Sequence, residues 1–393
     1  MKKIRRFSRW QLTVLVVLLV AIVTGCANVR RGVSWPSLEL VTINDQARVL
    51  ISYDGQVEAI DPYQGAQIHI IRDAEGEVVR NTNGDVSEWI LRGNDYDGSQ
   101  FFVSPFEIDG NFLFPTYNNR ILEVDLNAPA VATTNIIELT DGVIADVVVT
   151  GDLIYVPYRS QDVVALDSET YEEIWRFDTV EGVWAAPLLA DGVLYIASIN
   201  HKLYAVDALT GQSLWAEPVD LDGAIASTPV LHNGSLYVGS YSHFMYQISL
   251  TGEITNTYEG ENWIWGSPVI QNDVLYYTDL SGYVYALNTS DLSEIWSERP
   301  AGRGIRPAPI VTDNYVVVAA RDGNVFWLNI ETGATVQSIE IDGKPELLSD
   351  LLYLPADEET GRPELILIAS TDNKRLVTAL NMQTFSQQWV YGR

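Results

Sequence analysis

The sequence predicts an all-β fold, an eight-bladed β-propeller of four-stranded antiparallel blades. Three observations carry that expectation. Pro105, Pro187, Pro229, Pro268 and Pro309 each stand 20 residues before a small polar residue, Asp125, Asp207, Ser249, Asn288 and Asn329. Asp167, Asp207, Asn288 and Asn381 are each followed eight residues later by tryptophan, at Trp175, Trp215, Trp296 and Trp389. Tyr155, Tyr195, Tyr237 and Tyr276 each stand 12 residues before the polar marker. Self-similarity at a period of about forty residues marks a solenoid or a propeller, whose units bury their apolar faces only against one another.

The clearest copy runs from Trp184 to Trp215. It holds four short runs rich in Val, Ile, Leu and Tyr, separated by Asp191-Gly192, Asn200-His201 and Thr210-Gly211. Such turn signals between short apolar runs predict antiparallel strands joined by hairpins. No segment after residue 25 keeps a helical period, which disfavours helical solenoids. Four strands in about forty residues make a propeller blade, whereas a β-helix coil is shorter.

The markers Asp61, Asp125, Asp167, Asp207, Ser249, Asn288, Asn329 and Asn381 count eight blades over residues 37–393. Their spacings of 64, 42, 40, 42, 39, 41 and 52 place insertions near 72–100 and 355–364. The prolines are expected on the first strand and the tyrosines on the second. The tryptophans are expected to end the outermost strand and pack against the neighbouring blade, as large aromatic core residues do.

The N-terminus belongs to a different class. Lys2, Lys3, Arg5, Arg6 and Arg9 precede an apolar stretch from Leu12 to Val23 in which only Thr13 is polar. That stretch falls short of the about 20 residues a spanning helix needs, so residues 1–25 read as a signal peptide. Val23-Thr24-Gly25-Cys26 resembles a bacterial lipobox, and Cys26 is the single cysteine of the chain. Lipidation of Cys26 is therefore expected, with residues 26–36 as a lipidated tether that attaches the protein to a membrane.

The formal net charge is −28, and residues 1–25 carry five basic and no acidic side chains, so the remainder is more acidic still. Such a body repels nucleic acid, and no nucleic-acid partner is expected.

A search for chemistry finds no catalytic, cofactor-binding or metal motif. His69, His201, His232 and His243 show no zinc-ligand spacing. Neither a nucleophile elbow nor a phosphate-binding loop occurs. Asp95-Tyr96-Asp97-Gly98 has Gly93 and Ser104 where the first and twelfth ligands of a calcium loop would stand, so it reads as a turn.

Three segments together carry a family resemblance: Leu236–Ser240 (Leu-Tyr-Val-Gly-Ser), Leu203–Asp207 (Leu-Tyr-Ala-Val-Asp) and Thr210–Trp215 (Thr-Gly-x-x-Leu-Trp). With the proline register they resemble the pyrroloquinoline-quinone (PQQ) type of propeller repeat, over roughly residues 38–393. Two branches of that superfamily matter. Quinoprotein dehydrogenases are longer and commonly carry a vicinal disulfide, calcium ligands and a catalytic aspartate, and this chain has no cysteine after Cys26. The BamB-type lipoproteins, which assist assembly of outer-membrane β-barrel proteins, match in blade number, length and lipobox. That resemblance implies a non-enzymatic scaffold without a cofactor. It would be anchored on the periplasmic face of an outer membrane if the host has one, and otherwise on the outer face of the cytoplasmic membrane, with a β-barrel assembly protein or an extended polypeptide as partner. One departure concerns Val219-Asp220-Leu221-Asp222, which carries aspartate where the BamB type has arginine in a partner-binding loop. A surface module binding another protein or a carbohydrate, and a degenerate PQQ-dependent dehydrogenase, stay open as alternatives.

Propellers bind through the loops at one rim. Three residues before the repeat prolines stand Trp184, Ala226, Trp265 and Arg306, expected near the mouth of the central channel. On neighbouring turns lie Tyr158, Arg159, His201, Tyr241, His243 and Arg321. Aromatic residues with arginine are what protein-binding hot spots favour, so these nine residues other than Ala226 form the candidate protein-binding rim.

Overall fold

A computed structural model describes residues 35–43, 46–65, 90–96, 98–126, 132–357 and 359–392. The leader, Cys26 and the insertion up to residue 89 lie outside the described residues.

The chain forms eight four-stranded sheets, each built from four consecutive antiparallel strands. They are blades 1 to 8, spanning 37–92, 106–138, 148–177, 188–220, 230–259, 269–298, 310–340 and 352–391. Blade 4 shows the local logic, with strands Leu188–Ala190, Val193–Ala197, Lys202–Asp207 and Val219–Asp220. In its two central strands, Leu194, Ile196, Tyr204 and Val206 pack toward blade 3. Tyr195, Ala197, Leu203 and Ala205 pack toward blade 5. Period-two alternation thus buries both faces, which is why these strands read as nearly unbroken apolar runs.

Each of the eight apolar clusters joins one blade to the next, and blade 8 meets blade 1 through Leu365, Leu367 and Ala379 against Val49, Ile51 and Ile60. The ring is closed by side chains rather than by a shared sheet. Across that seam the Tyr391 hydroxyl donates to the buried Glu58 carboxylate, and the Tyr53 hydroxyl donates to the Thr371 carbonyl at 3.2 Å.

The tryptophan register is an interlock between blades. Trp175 Nε1 donates to the Ala208 carbonyl at 3.0 Å, Trp215 Nε1 to Leu250 at 2.9 Å and Trp296 Nε1 to Ile330 at 3.0 Å, each acceptor lying just past the polar marker of the next blade. Each indole also lies on the glycine of that turn. A Cβ on Gly333 (φ +71°) would come within 2.6 Å of Trp296, and one on Gly65 (φ +62°) within 2.3 Å of Trp389. These glycines are required both by the left-handed backbone and by the approach of the ring. The tyrosines back the same contact, with Tyr155 5.8 Å from Trp175 and Tyr276 6.0 Å from Trp296. Blade 5 has Thr257 in the tryptophan's place, and there Tyr237 Oη and Gln247 Nε2 donate to the Thr289 carbonyl at 2.6 and 3.1 Å instead.

The polar markers fold the turn between third and fourth strands. Asp207 Oδ1 accepts from Leu209 N, Thr210 N and Thr210 Oγ1, and Asn329 repeats the pattern with Glu331 and Thr332. Side-chain acceptance of turn N–H groups is the property that selects Asp and Asn here.

Three details refine the expectations. The prolines stand immediately before the first strands, as Pro187 before Leu188–Ala190, where a missing N–H costs no ladder bond. Trp215 lies in an irregular edge rather than a regular strand, because the fourth strand of blade 4 is only Val219–Asp220. Of the insertion near 72–100, Ile90–Arg92 is the fourth strand of blade 1, whereas 355–364 is the connection between the first two strands of blade 8.

Replacing Trp296 by Ala should destabilise the ring by about 3–5 kcal/mol in denaturant unfolding, whereas Gly333→Ala should cost at least about 1 kcal/mol through backbone strain and displacement of that indole. Hydrogen bonds from the Thr210 hydroxyl and the Thr210 N–H hold the Asp207 carboxyl below its usual range. That stabilisation should be complete above the unfolded carboxylate range and lost as pH falls through the lower folded value. Carboxyl-carbon NMR titration of Asp207 should therefore show a midpoint below 3.8.

Candidate functional site

The connections between blades converge on one end of the central channel and enclose a cavity of about 210 Å³. Two registers of the repeat build its wall. Phe102, Ile144, Trp184, Ala226, Trp265, Arg306 and Leu348 come from the position three residues before the proline or its equivalent. Trp35, Ser104, Asp146, Ala186, Thr228, Ser267 and Asp350 come from the position two residues before each first strand.

In the second register, adjacent blades are stitched by backbone-to-side-chain bonds. Ser104 N donates to Asp146 Oδ1 at 3.1 Å, Thr228 N to Ser267 Oγ at 2.9 Å and Ala308 N to Asp350 Oδ1 at 2.7 Å. Each donor directly precedes a proline, outside the strand ladder, so its N–H needs an acceptor from elsewhere. Asp146 and Asp350 stand deep within the ring while their side chains remain open to the lumen. Burial raises both carboxyls above their usual range, against the Ser104 and Ala308 N–H bonds, and the charge of Asp350 raises Asp146 further. Access to lumen water tempers that rise.

A continuous series of aromatic rings and cations runs around the mouth. Trp263 stacks on Tyr241 at 4.9 Å and 2°, and Tyr241 meets Trp265 at 5.6 Å. The Arg306 guanidinium lies between Trp265 and Trp35, 4.2 and 4.0 Å from their ring centres. Trp35 contacts Phe102 at 5.5 Å, Phe102 contacts Tyr117 at 5.2 Å, and Arg159 lies 4.3 Å over Tyr117. The Arg159 carbonyl accepts from Trp184 Nε1 at 3.2 Å. Burial brings the Arg306 pKa down to about 10, opposed by Tyr241 and Asp350, so the group stays charged at neutral pH. Burial likewise raises the Tyr241 phenol above its usual value.

Of the rim residues expected from the sequence, Trp184, Trp265 and Arg306 line the cavity, and Trp184 is 39% exposed. Tyr241 backs Trp265, and Arg159 is paired with Asp141 at 3.0 Å. Tyr158 is 2% exposed, because it takes an inward position in the core between blades 2 and 3. His201 and His243 occupy equivalent left-handed hairpin positions, both at φ +74°, away from the cavity wall. Arg321 is held by Glu346 at 3.0 Å, which also binds Arg303 at 3.2 Å. In the segment 219–222, Val219 and Leu221 are buried and Asp220 pairs with Lys202 at 2.5 Å.

Four mouth residues escape the sequence reading. Phe102 stands three before Pro105, in the register of Trp184, so its signal was present. Trp35 was hidden because Pro36 stands 25 rather than 20 residues before Asp61, the first strand of blade 1 being seven residues long. Trp263 and Tyr117 gain their places only through stacking on residues from other loops. Among the described residues, no three His, Cys, Asp or Glu side chains gather as a metal site would require.

A family model described as "Outer membrane protein assembly factor BamB" matches residues 118–239 and 203–392. The outer membrane protein assembly factor BamB of Escherichia coli (strain K12) is 22% identical over 153 residues, 38% of this chain and 38% of that protein. The protein of that name from Yersinia pestis is 26% identical over 153 residues with the same coverage. The similar segment thus spans well under half the length of these curated relatives. In fold, the chain is similar to the crystal structure of BamB from Moraxella catarrhalis, with a TM-score of 0.63 and 20% identity over 87% of this chain and 92% of that one. A computationally designed protein, Ika8, gives a TM-score of 0.64 at 14% identity, over 89% of this chain and 96% of that one. The two overlapping family matches take in well over half of the sequence, and the chain belongs to the family of the outer membrane protein assembly factor BamB.

Proposed function

We propose that this protein is a non-enzymatic scaffold of outer-membrane protein assembly that docks a protein partner on the mouth face of its ring. The observation that carries this reading is family membership together with aromatic surface left open on that face, where Trp184 is 39% and Trp263 46% exposed. Exposed tryptophans on a rigid platform offer large contact area at small entropic cost, which is what protein-binding hot spots use. The partner is a β-barrel assembly protein or an extended polypeptide delivered to it.

Attachment comes from lipid on Cys26, which places the protein on the periplasmic face of an outer membrane. Trp35 follows Cys26 by nine residues, a length that spans at most about 30 Å.

Cys26→Ala should move the protein from the membrane to the soluble fraction on cell fractionation, and unchanged membrane retention would overturn the lipid anchor. Trp184→Ala with Trp263→Ala should weaken partner binding by about 2 kcal/mol or more, read as loss of a β-barrel assembly protein from affinity purification out of membranes. Equal recovery by the folded double variant, with Leu209→Ala as a control away from the mouth, would sink the rim assignment.

A further inference from the structure

The mouth cavity holds a guanidinium that Asp350 of the same wall influences electrostatically without a direct bond. Among the described residues no hydrogen bond or ion pair reaches the Arg306 guanidinium, and its Nε is buried without an acceptor. The two indoles cover the faces of this group, leaving its Nη donors, rather than the buried Nε, as the polar edge toward the cavity. An arginine so held is preorganised for a carboxylate, whose two oxygens match its fork.

The wall holds the opposite charge as well. Asp146 and Asp350 both line the cavity, and each spends one oxygen, Oδ1, on a backbone N–H. They lie close enough for the charge of Asp350 to disfavour ionisation of Asp146, and Asp350 acts electrostatically on Arg306. Two carboxylates facing one lumen are relieved by a cation between them. Next to Asp350, Ser349 is 6% exposed, lines the same cavity, and its hydroxyl has no partner among the described residues. A buried hydroxyl left unpaired costs free energy that a ligand group can recover.

We propose that the mouth cavity binds a small zwitterion of amino-acid or dipeptide size, its carboxylate on Arg306 and its ammonium between Asp146 and Asp350. The Ser349 hydroxyl adds a hydrogen bond to the bound molecule. A dianion is rejected by the two aspartates and a simple amine leaves Arg306 unpaired, so selectivity comes from the separation of unlike charges across about 210 Å³. The site shares its cavity wall with Trp184 of the rim, but its charged contacts come from Arg306, Asp146 and Asp350 rather than from the exposed indoles.

Isothermal titration calorimetry of the purified full chain with glycine, alanine, glycylglycine, acetate, succinate and methylamine tests the assignment. Saturable one-to-one binding is expected for at least one zwitterion, at least about tenfold tighter than for acetate or methylamine, since each end contributes a charge-assisted bond. Asp350→Asn and Asp146→Asn keep the acceptor for the backbone N–H and should each weaken zwitterion binding about tenfold while leaving thermal unfolding nearly unchanged. Arg306→Gln should abolish binding, and Arg306→Lys should retain part of it. Absence of saturable binding by every zwitterion at 10 mM, roughly the limit of a useful charge-assisted site, would overturn the proposal. So would acetate binding as tightly as the zwitterions, or binding indifferent to both aspartate variants.

Discussion

The indole that each of several blades lays on a glycine of the next blade is the contact on which the rest of the structure depends. Both faces of every central strand are buried, so no blade owns a complete core. A blade becomes stable only when its neighbours are seated, and the tryptophan, its acceptor carbonyl and the glycine beneath it fix the angle at which they sit. Repetition of the blade closes the ring after eight units and delivers one or both of the same two positions of each described connection to the channel mouth. The mouth surface is therefore a by-product of a packing rule, and its chemistry is set by what each copy places at those two positions.

This explains what the sequence made legible. Proline, marker, tyrosine and tryptophan recur because backbone geometry and inter-blade packing demand them, and demands repeated from blade to blade leave a readable period. Trp184, Trp265 and Arg306 could be placed at the mouth because they share that register. Tyr158 lies on a neighbouring turn one residue before Arg159, and that single step of alternation puts its side chain in the core rather than on the rim. The Trp35–Arg306 contact joins residues far apart in the chain, and no local pattern announces it. Register predicts where a side chain begins; what it meets depends on loops that do not repeat.

The electrostatics follow the same division. The body is strongly acidic, but the connection Arg299–Arg306 contains three arginines and no acid. Arg303 and Arg321 of this quarter share Glu346, and Arg306 is withdrawn between two indoles. On the opposite side, the connections before blades 3 and 4 contain Asp141, Asp146, Asp178 and Glu181 with no basic residue. The connections that feed the mouth therefore differ in charge from blade to blade, although Arg159 pairs with Asp141 on one side and Glu346 with Arg303 and Arg321 on the other.

Trp35 has a mechanical meaning. It immediately precedes blade 1, yet it is gripped by Arg306 at the entrance to blade 7 and touches Phe102 at the entrance to blade 2. The joint between the first and last units is the one that no chain connection spans, and there Trp389 alone among the four register tryptophans has an indole N–H without a partner. Trp35 straddles that joint like a clasp. A pull on the chain at Trp35 is passed to blades 2 and 7 before it reaches the seam, so the load is spread across three interfaces instead of peeling one open.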